Sequence, residues 1–309
     1  MLSVCIGIYN YDVNQLVKDL CKQADKLGIE YEILLLDDAS KHDFLMKNAK
    51  LDFLPHVTYL QNYRNVGRSV IRNTLASKAQ YPYLLFVDCD AKVTHADYLK
   101  KYIEAAPTAQ VISGGVEYRE KKPKRSQLLR WKYGVLRETT PAEIRNKNPN
   151  VAFSTFNFLI EKEIFKTVEF DETLSGYGHE DTLFGIDLMK RGITVKHIDN
   201  PLRHDGITTT DRFLKQTENA IDNLCILYDK LDDRQLFVEG NKLLQTFQKL
   251  QRRKMVKLYL CFYSLFKSLV IRNLKSNNPK MRCFDLYKLN YICQKFSGKK
   301  IYFFIDKNL

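Results

Sequence analysis

The sequence predicts an α/β protein with a mainly parallel central sheet, and three observations carry that expectation. Short apolar runs alternate with helical periodicity through the first 95 residues. The runs are continuously apolar rather than alternating, as strands covered on both faces require. Two of the four runs end in paired carboxylates, at the carboxyl edge where such sheets bind ligands.

Leu2–Ile8 is the first run. Asp12 then offers a cap for a helix carrying Val13, Leu16, Val17, Leu20, Ala24 and Leu27 at three- and four-residue spacing, and Gly28 stops it. Tyr31–Leu36 is the second run and ends in Asp37-Asp38-Ala39-Ser40. Val57–Gln61 leads through Asn65-Val66-Gly67 into a helix over Ser69–Lys78. Tyr83–Val87 ends in Asp88-Cys89-Asp90. Beyond the basic turn Lys121–Arg125, the pattern predicts an amphipathic helix over Leu128–Leu136, a strand over Ala152–Ile160, a helix over Glu180–Lys190 ended by Gly192, and a strand over Thr194–Ile198. From Asp211 onward the periodicity is mainly helical. The expected division is therefore an α/β domain over 1–210 and a mainly helical, basic segment over 211–309.

Composition narrows the function classes. Of 309 residues, 45% are apolar and 28% charged, which describes a folded globular chain and excludes general disorder. Forty-nine Lys and Arg stand against 36 Asp and Glu, a net charge of +13. Residues 1–240 are nearly neutral, with 33 basic and 34 acidic side chains, whereas residues 241–309 hold 16 basic and 2 acidic ones. The basicity belongs to one segment, so no nucleic-acid partner is expected. The seven cysteines form no C-x-x-C pair, which argues against zinc and disulfide frameworks and fits a reducing, cytoplasmic setting. Met1–Ile8 is too short for a signal peptide, and Met255–Ile271, interrupted by Lys257 and Lys267, is too short and charged for a membrane span.

Four constellations carry chemistry. Asp88-x-Asp90 at a strand end can address a divalent cation that bridges a diphosphate, although two solvated loop acids give the same pattern. Asp37-Asp38 can accept from a nucleobase imide or a ribose hydroxyl, or can close a turn and cap a helix. Asn65-Val66-Gly67-Arg68 with Arg72-Asn73 combines a glycine that permits close backbone approach with a cation for phosphate; an exposed basic helix start reads the same way. Glu180-Asp181 opens a helix, whose dipole favours ionised acids whether or not they react.

Taken together and in order, Ser3–Asn10, Asp37-Asp38-Ala39-Ser40, Asn65-x-Gly67, Arg72-Asn73 and Asp88-x-Asp90 resemble a family 2 glycosyltransferase of the GT-A fold. Asn157-Phe158 and Gly176-Tyr177-Gly178-His179-Glu180-Asp181-Thr182-x-Phe184 resemble the acceptor-side segment of this and related galactosyltransferase families. The likeness spans residues 2–208. It implies inverting transfer of a sugar from a nucleotide-diphospho-sugar, UDP-linked, to a glycan or lipid-linked acceptor, with Mn²⁺ or Mg²⁺, in surface polysaccharide synthesis. It further implies that Asp38 meets the nucleobase and that Asp88 and Asp90 hold ribose, metal and diphosphate. Asn65, Arg72 and Gly115 would line the donor site, Asp181 beside Glu180 would be the base, and His204 would complete the metal or diphosphate contacts. Trp131, the single tryptophan, either stacks on sugar or packs, with packing favoured.

The basic tail has two readings: an interfacial helix around Met255–Ile271 seeking anionic lipid on the inner face of the cell membrane, or a helical domain packed on the core with its charges solvated. A nucleotidyltransferase, or a non-catalytic glycan- or membrane-binding protein on a transferase scaffold, are the competing functions.

Overall fold

The computed structural model describes residues 1–173, 178–230, 237, 238 and 240–297. The described residues fall into two compact units: 1–122, 133–173 and 179–207 belong to one, and 123–132, 178, 208–230, 237, 238 and 240–297 to the other.

The first unit begins β1 (Leu2–Ile8), α1 (Asn14–Leu27), β2 (Tyr31–Asp37), α2 (His42–Asn48), β3 (Val57–Gln61), α3 (Arg68–Lys78), β4 (Tyr83–Val87), β5 (Ala91–Lys92) and α4 (Tyr98–Ala105). Leu16, Val17, Leu20 and Ala24 put one face of α1 in the core, and Gly28 ends the helix at φ +63°, a conformation glycine adopts without Cβ strain. Asp12 does not occupy the cap position, which falls on Val13; its carboxylate instead accepts from the Asn14 N–H.

The central sheet runs β3-β2-β1-β4-β8-β6-β9. Strands β6 (Val111–Ser113), β8 (Asn157–Glu161) and β9 (Lys196–His197) complete it. The four amino-terminal strands are parallel, and β8 lies antiparallel to both β4 and β6. The sheet is thus mainly parallel with one reversed strand, and Leu2, Ile6, Leu85, Phe86 and Phe158 bury it on both faces. Because β1 to β4 are parallel, each delivers its carboxyl end to the same edge.

Two strands are shorter than their apolar runs. Of 152–160 only residues 157–160 pair in the sheet, the strand continuing to Glu161, because Phe153 and Phe156 enter the core from irregular chain before it. Only Lys196 and His197 of 194–198 pair, at the sheet margin. A second, three-stranded sheet follows the order β5-β10-β7, with β7 at Val116–Glu117 and β10 at Leu202–His204. Its β5 follows β4 after three residues, and its β10 ends in His204. The unit also contains α6 (Ala142–Arg145), α7 (Lys162–Phe165) and α8 (Glu180–Lys190).

In the second unit, α5 (Leu128–Tyr133) stops short of the expected Leu136, where the chain widens into a π turn over Gly134–Glu138; Trp131 is half-buried in α5. Then come α9 (Thr210–Lys230), α10 (Lys242–Arg252), α11 (Val256–Leu274) and α12 (Met281–Ser297). Phe213 stacks on Phe284 at 5.3 Å and Phe247 on Phe296 at 4.9 Å. The acids of α9 are consumed by α12: Tyr287 donates to Glu218 at 2.7 Å, Tyr291 to Asp222 at 3.1 Å, and Lys295 pairs with Asp222 at 2.7 Å. No helix among the described residues is long and apolar enough to cross a membrane, and all seven cysteines are free thiols.

Candidate active site

The carboxyl edge of the sheet is built by loops that clip one another. After β1, Asn10 turns left-handed at φ 53°; after β2, Ala39 does so at φ 60°. The Asn10 N–H donates to Ser40 Oγ and the Lys41 N–H to Asn10 Oδ1, which locks the two turns together. Asp37 accepts from the Ser40 N–H through Oδ1 at 2.7 Å, while its Oδ2 is buried with no hydrogen-bond partner among the described residues.

Asp38, expected at the nucleobase, has its carboxylate engaged by the following loop. Its Oδ1 accepts from the Val66 N–H at 2.8 Å and its Oδ2 from the Gly67 N–H at 3.0 Å. Asn65 Nδ2 donates back to the Asp38 carbonyl at 3.1 Å. Asp38 and Asn65 together therefore fold the 62–67 loop over the end of β2, and Gly67, at φ +90°, lets that loop turn into α3. The spacing between the two motifs reflects this clip.

Arg72 projects from α3, nearly fully buried, with its guanidinium over the Phe170 ring at 5.2 Å. Its Nη2 donates to Asp88 Oδ1 at 3.0 Å, and its Nη1 lies 3.5 Å from Glu180 Oε1, where Arg68 also arrives at 3.5 Å. One cation thus ties the first acid of Asp88-x-Asp90 to the acid at the start of α8. The two acids of α8 then diverge. Burial works against the Glu180 anion, yet Arg68 and Arg72 hold its carboxyl below the ordinary range. Burial pushes Asp181 up to about 6, and the adjacent Glu180 charge adds to this against the hydrogen bond from the Thr182 N–H at 2.7 Å. Asp181 is thereby the more basic carboxylate of the pair. His179 precedes them at φ 71°, and burial draws its pKa down to about 4.

The small sheet brings Asp90 and His204 together. β10 pairs antiparallel with β5, His204 opposite Ala91, and the Asp205 N–H donates to the Asp90 carbonyl at 2.9 Å. His204 Nε2 stands 3.5 Å from Asp90 Oδ2, its ring sandwiched by Tyr118 at 5.5 Å and Phe156 at 5.3 Å. His204 Nδ1 is buried without a hydrogen-bond partner among the described residues. Gly206 is required here, since a Cβ would collide with the Asp90 carboxylate. Among the described residues no group of three or more His, Cys, Asp or Glu side chains gathers as a metal cage. Asp90 and His204 are a two-residue oxygen–nitrogen set, which suits Mn²⁺ or Mg²⁺ only if other ligands are supplied from outside the protein.

Gly115 takes φ +88° just before β7, packed against the buried Arg145 guanidinium. Arg145 donates to the Ser113 carbonyl at 3.2 Å and the Ile198 carbonyl at 2.8 Å. Asn157, quoted with Phe158 for the acceptor side, is a buried hub. Its Oδ1 accepts from Tyr98 at 2.7 Å and Tyr102 at 2.8 Å, and its amide donates to the carbonyls of Gly115 at 3.1 Å and Asn200 at 2.9 Å. Gly176 and Tyr177 of the acceptor-side motif lie outside the described residues.

One cluster carries no local sequence signal. Asp205 receives Arg119 at 2.9 and 2.6 Å and Arg203 at 2.9 and 3.2 Å. Burial opposes its charge, yet the two guanidiniums hold its carboxyl at about 2. Arg119 and Asp205 are 86 residues apart, so only the β7–β10 pairing makes them neighbours.

Comparison with known proteins gives a consistent frame. The chain is 22% identical over 243 residues to chondroitin synthase of Escherichia coli, a match covering 66% of this chain and 34% of that protein. It is 31% identical over 99 residues to a putative teichuronic acid biosynthesis glycosyltransferase, TuaG, of Bacillus subtilis (strain 168), covering 31% of this chain and 38% of that one. The chain spans about a third of the length of these curated relatives. The fold resembles a mannosyltransferase of Pyrobaculum calidifontis solved with GDP-Man and Mn²⁺, at TM-score 0.63 and 14% identity over 97% of this chain and 88% of that one. It also resembles glucosyl-3-phosphoglycerate synthase of Mycobacterium tuberculosis solved with Mg²⁺ and UDP, at TM-score 0.50 and 14% identity over 75% and 81% of the two chains. The sequence profile of glycosyl transferase family 2 matches residues 3–168, more than half of the chain and all of the strands that carry the paired carboxylates; the chain belongs to that family.

Proposed function

We propose that this protein is an inverting, metal-dependent glycosyltransferase. It moves a sugar from a nucleotide-diphospho-sugar, UDP-linked, to a hydroxyl of a glycan or lipid-linked acceptor during surface polysaccharide synthesis. The observation that carries the reading is the Asp88–Arg72–Glu180 bridge. It couples the diphosphate end of the site to the helix that bears a second, more basic carboxylate, Asp181. The names of the E. coli and B. subtilis relatives support the polysaccharide context.

Asp90 and His204 would hold the cation, with donor diphosphate oxygens and water supplying its remaining ligands. When bound, the cation neutralises charge on the leaving diphosphate. The chain's own residues do the rest. Asp88, held by Arg72, faces the donor ribose and diphosphate. Asp38 and Asn65 act by shaping the loop that borders the nucleobase. Gly115, whose missing side chain makes room for the Arg145 guanidinium, would offer its backbone to the donor sugar. Asp181 Oδ takes the proton of the acceptor hydroxyl as that oxygen attacks, and its pKa near neutrality suits the task. Glu180, fixed by two arginines, positions Asp181 and keeps its proton affinity high rather than reacting itself.

Titration calorimetry of UDP with and without Mn²⁺ tests the donor half. Wild type should bind UDP more tightly with Mn²⁺, and Asp90→Ala should remove that gain. Equal Mn²⁺ enhancement in the variant would refute the assignment. Residues 241–309 are assigned peripheral contact with anionic membrane on the cytoplasmic side, where a lipid-linked acceptor would be met.

A further inference from the structure

Helix α11 carries an apolar stripe that its own unit leaves exposed. Its inner face is ordinary: Tyr263, Val270 and Leu274 are buried, and Tyr259 donates to the Leu286 carbonyl of α12 at 2.9 Å. The opposite face holds Leu258, Phe262, Leu265 and Leu269, spaced four, three and four residues apart and so aligned along one side of the helix. They are 64%, 56%, 74% and 49% exposed. Phe266 flanks the stripe and packs on Phe262 with ring centroids 4.8 Å apart, which leaves two aromatic rings together at the surface. A continuous apolar row of this size on a soluble face marks a contact surface.

The charges around the stripe select the contact. Between Gly240 and Phe284 the sequence contains eleven Lys and Arg and no Asp or Glu. Arg252, Arg253 and Lys254 stand exposed just before α11, Lys257 lies beside its first turn, and exposed Arg272 continues the stripe at its far end. A second copy of the same helix would suit the spacing. Its flanking positions, Tyr259, Cys261, Phe266 and Ser268, nevertheless offer no complementary charge, and the surrounding cations would repel one another. A surface with an apolar interior and anionic headgroups satisfies both features. The leucines and phenylalanines enter the acyl boundary while the cations at both ends reach the headgroups.

We infer that α11 lies in the plane of an anionic bilayer, with Leu258, Phe262, Leu265 and Leu269 inserted and Arg252–Lys254, Lys257 and Arg272 on the headgroups. The inference deepens the membrane contact assigned above by naming the face and the lipid chemistry, and it is independent of the transfer chemistry. The orientation differs from a span, which the charge and length of α11 do not allow.

Flotation of the full chain with vesicles of phosphatidylcholine alone, or containing phosphatidylglycerol, tests this. Wild type should float only with the anionic vesicles, and less as NaCl is raised. Phe262→Ser and Leu265→Ser should each lower the partition coefficient roughly tenfold. Both sites are exposed, so thermal unfolding should match wild type, and UDP binding with Mn²⁺ should be unchanged. Lys254→Gln with Lys257→Gln should weaken flotation while keeping the apolar stripe. Flotation unaffected by the serine variants would overturn the inference. So would a wild-type dimer in light scattering that these variants convert to monomer, since that would make the stripe an interface between copies. Loss of flotation with UDP binding intact leaves the catalytic proposal standing, and the reverse leaves the membrane face standing.

Discussion

At the scale of single residues, the two acids that begin α8 have opposite environments despite being adjacent. Glu180 is pinned by Arg68 and Arg72, whereas Asp181 is buried beside the Glu180 charge and holds its proton up to about pH 6. Transfer should therefore fall on the acid side with an apparent pKa near 6, because protonated Asp181 cannot accept the acceptor proton. A profile of donor turnover against pH checks this. The same shift has a stability sign. A carboxyl whose folded pKa exceeds its unfolded value of 3.8 stabilises fully while protonated, and that contribution is lost as pH rises through about 6. Asp181→Asn should consequently raise the melting temperature at pH 8, by the equivalent of about 1–3 kcal/mol, and bring little gain at pH 4. Arg72→Met removes the partner shared by Asp88 and Glu180 and leaves Glu180 with Arg68 alone. Urea unfolding should show a loss of about 2–4 kcal/mol.

Elements position these groups through contacts that sequence periodicity does not contain. The parallel strands and their paired carboxylates were legible because continuous apolar runs ending in Asp are local patterns, as were α1, stopped by Gly28, and α8. The irregular residues 152–156 were not, since Phe153 and Phe156 are as apolar as a strand while contributing to the core from outside the ladder. The loop contacts of Asp38 were hidden for a related reason: it accepts from amides 28 and 29 residues later, which only the closed loop reveals. Asn157 is a further case. Its motif suggests the acceptor side, whereas its four partners make it the joint between α4, the Gly114-Gly115 turn and β10's approach. Asn157→Ala would strand the buried Tyr98 hydroxyl and two carbonyls, while the Tyr102 hydroxyl keeps the Asn157 carbonyl at 3.1 Å, and should cost about 2–4 kcal/mol by urea unfolding. Gly206→Ala tests the small sheet separately. The new methyl displaces Asp90, so Mn²⁺-enhanced UDP binding should weaken about tenfold or more while UDP binding without metal is retained.

For the whole molecule, charge separates two tasks. The first 240 residues are nearly neutral and place acids at strand ends and at one helix start, where the proposed transfer would handle a diphosphate, a cation and a proton. The basic excess lies beyond them, around α11, where the proposed membrane contact would use it. The distinction was visible in the sequence as composition, but the exposed stripe was not: the apolar residues of Met255–Ile271 cannot be divided into a packed and an open side until the buried side of α11 is known. The central claim is that Asp181 is the base of a single-displacement transfer. Its most direct test uses the nucleotide-sugar that gives the largest Mn²⁺-dependent thermal shift, following release of nucleoside diphosphate on addition of acceptor. Asp181→Asn should bind that donor as wild type does while acceptor-dependent release falls by about 10²-fold or more. Release at the wild-type rate, or loss of donor binding together with release, would contradict it.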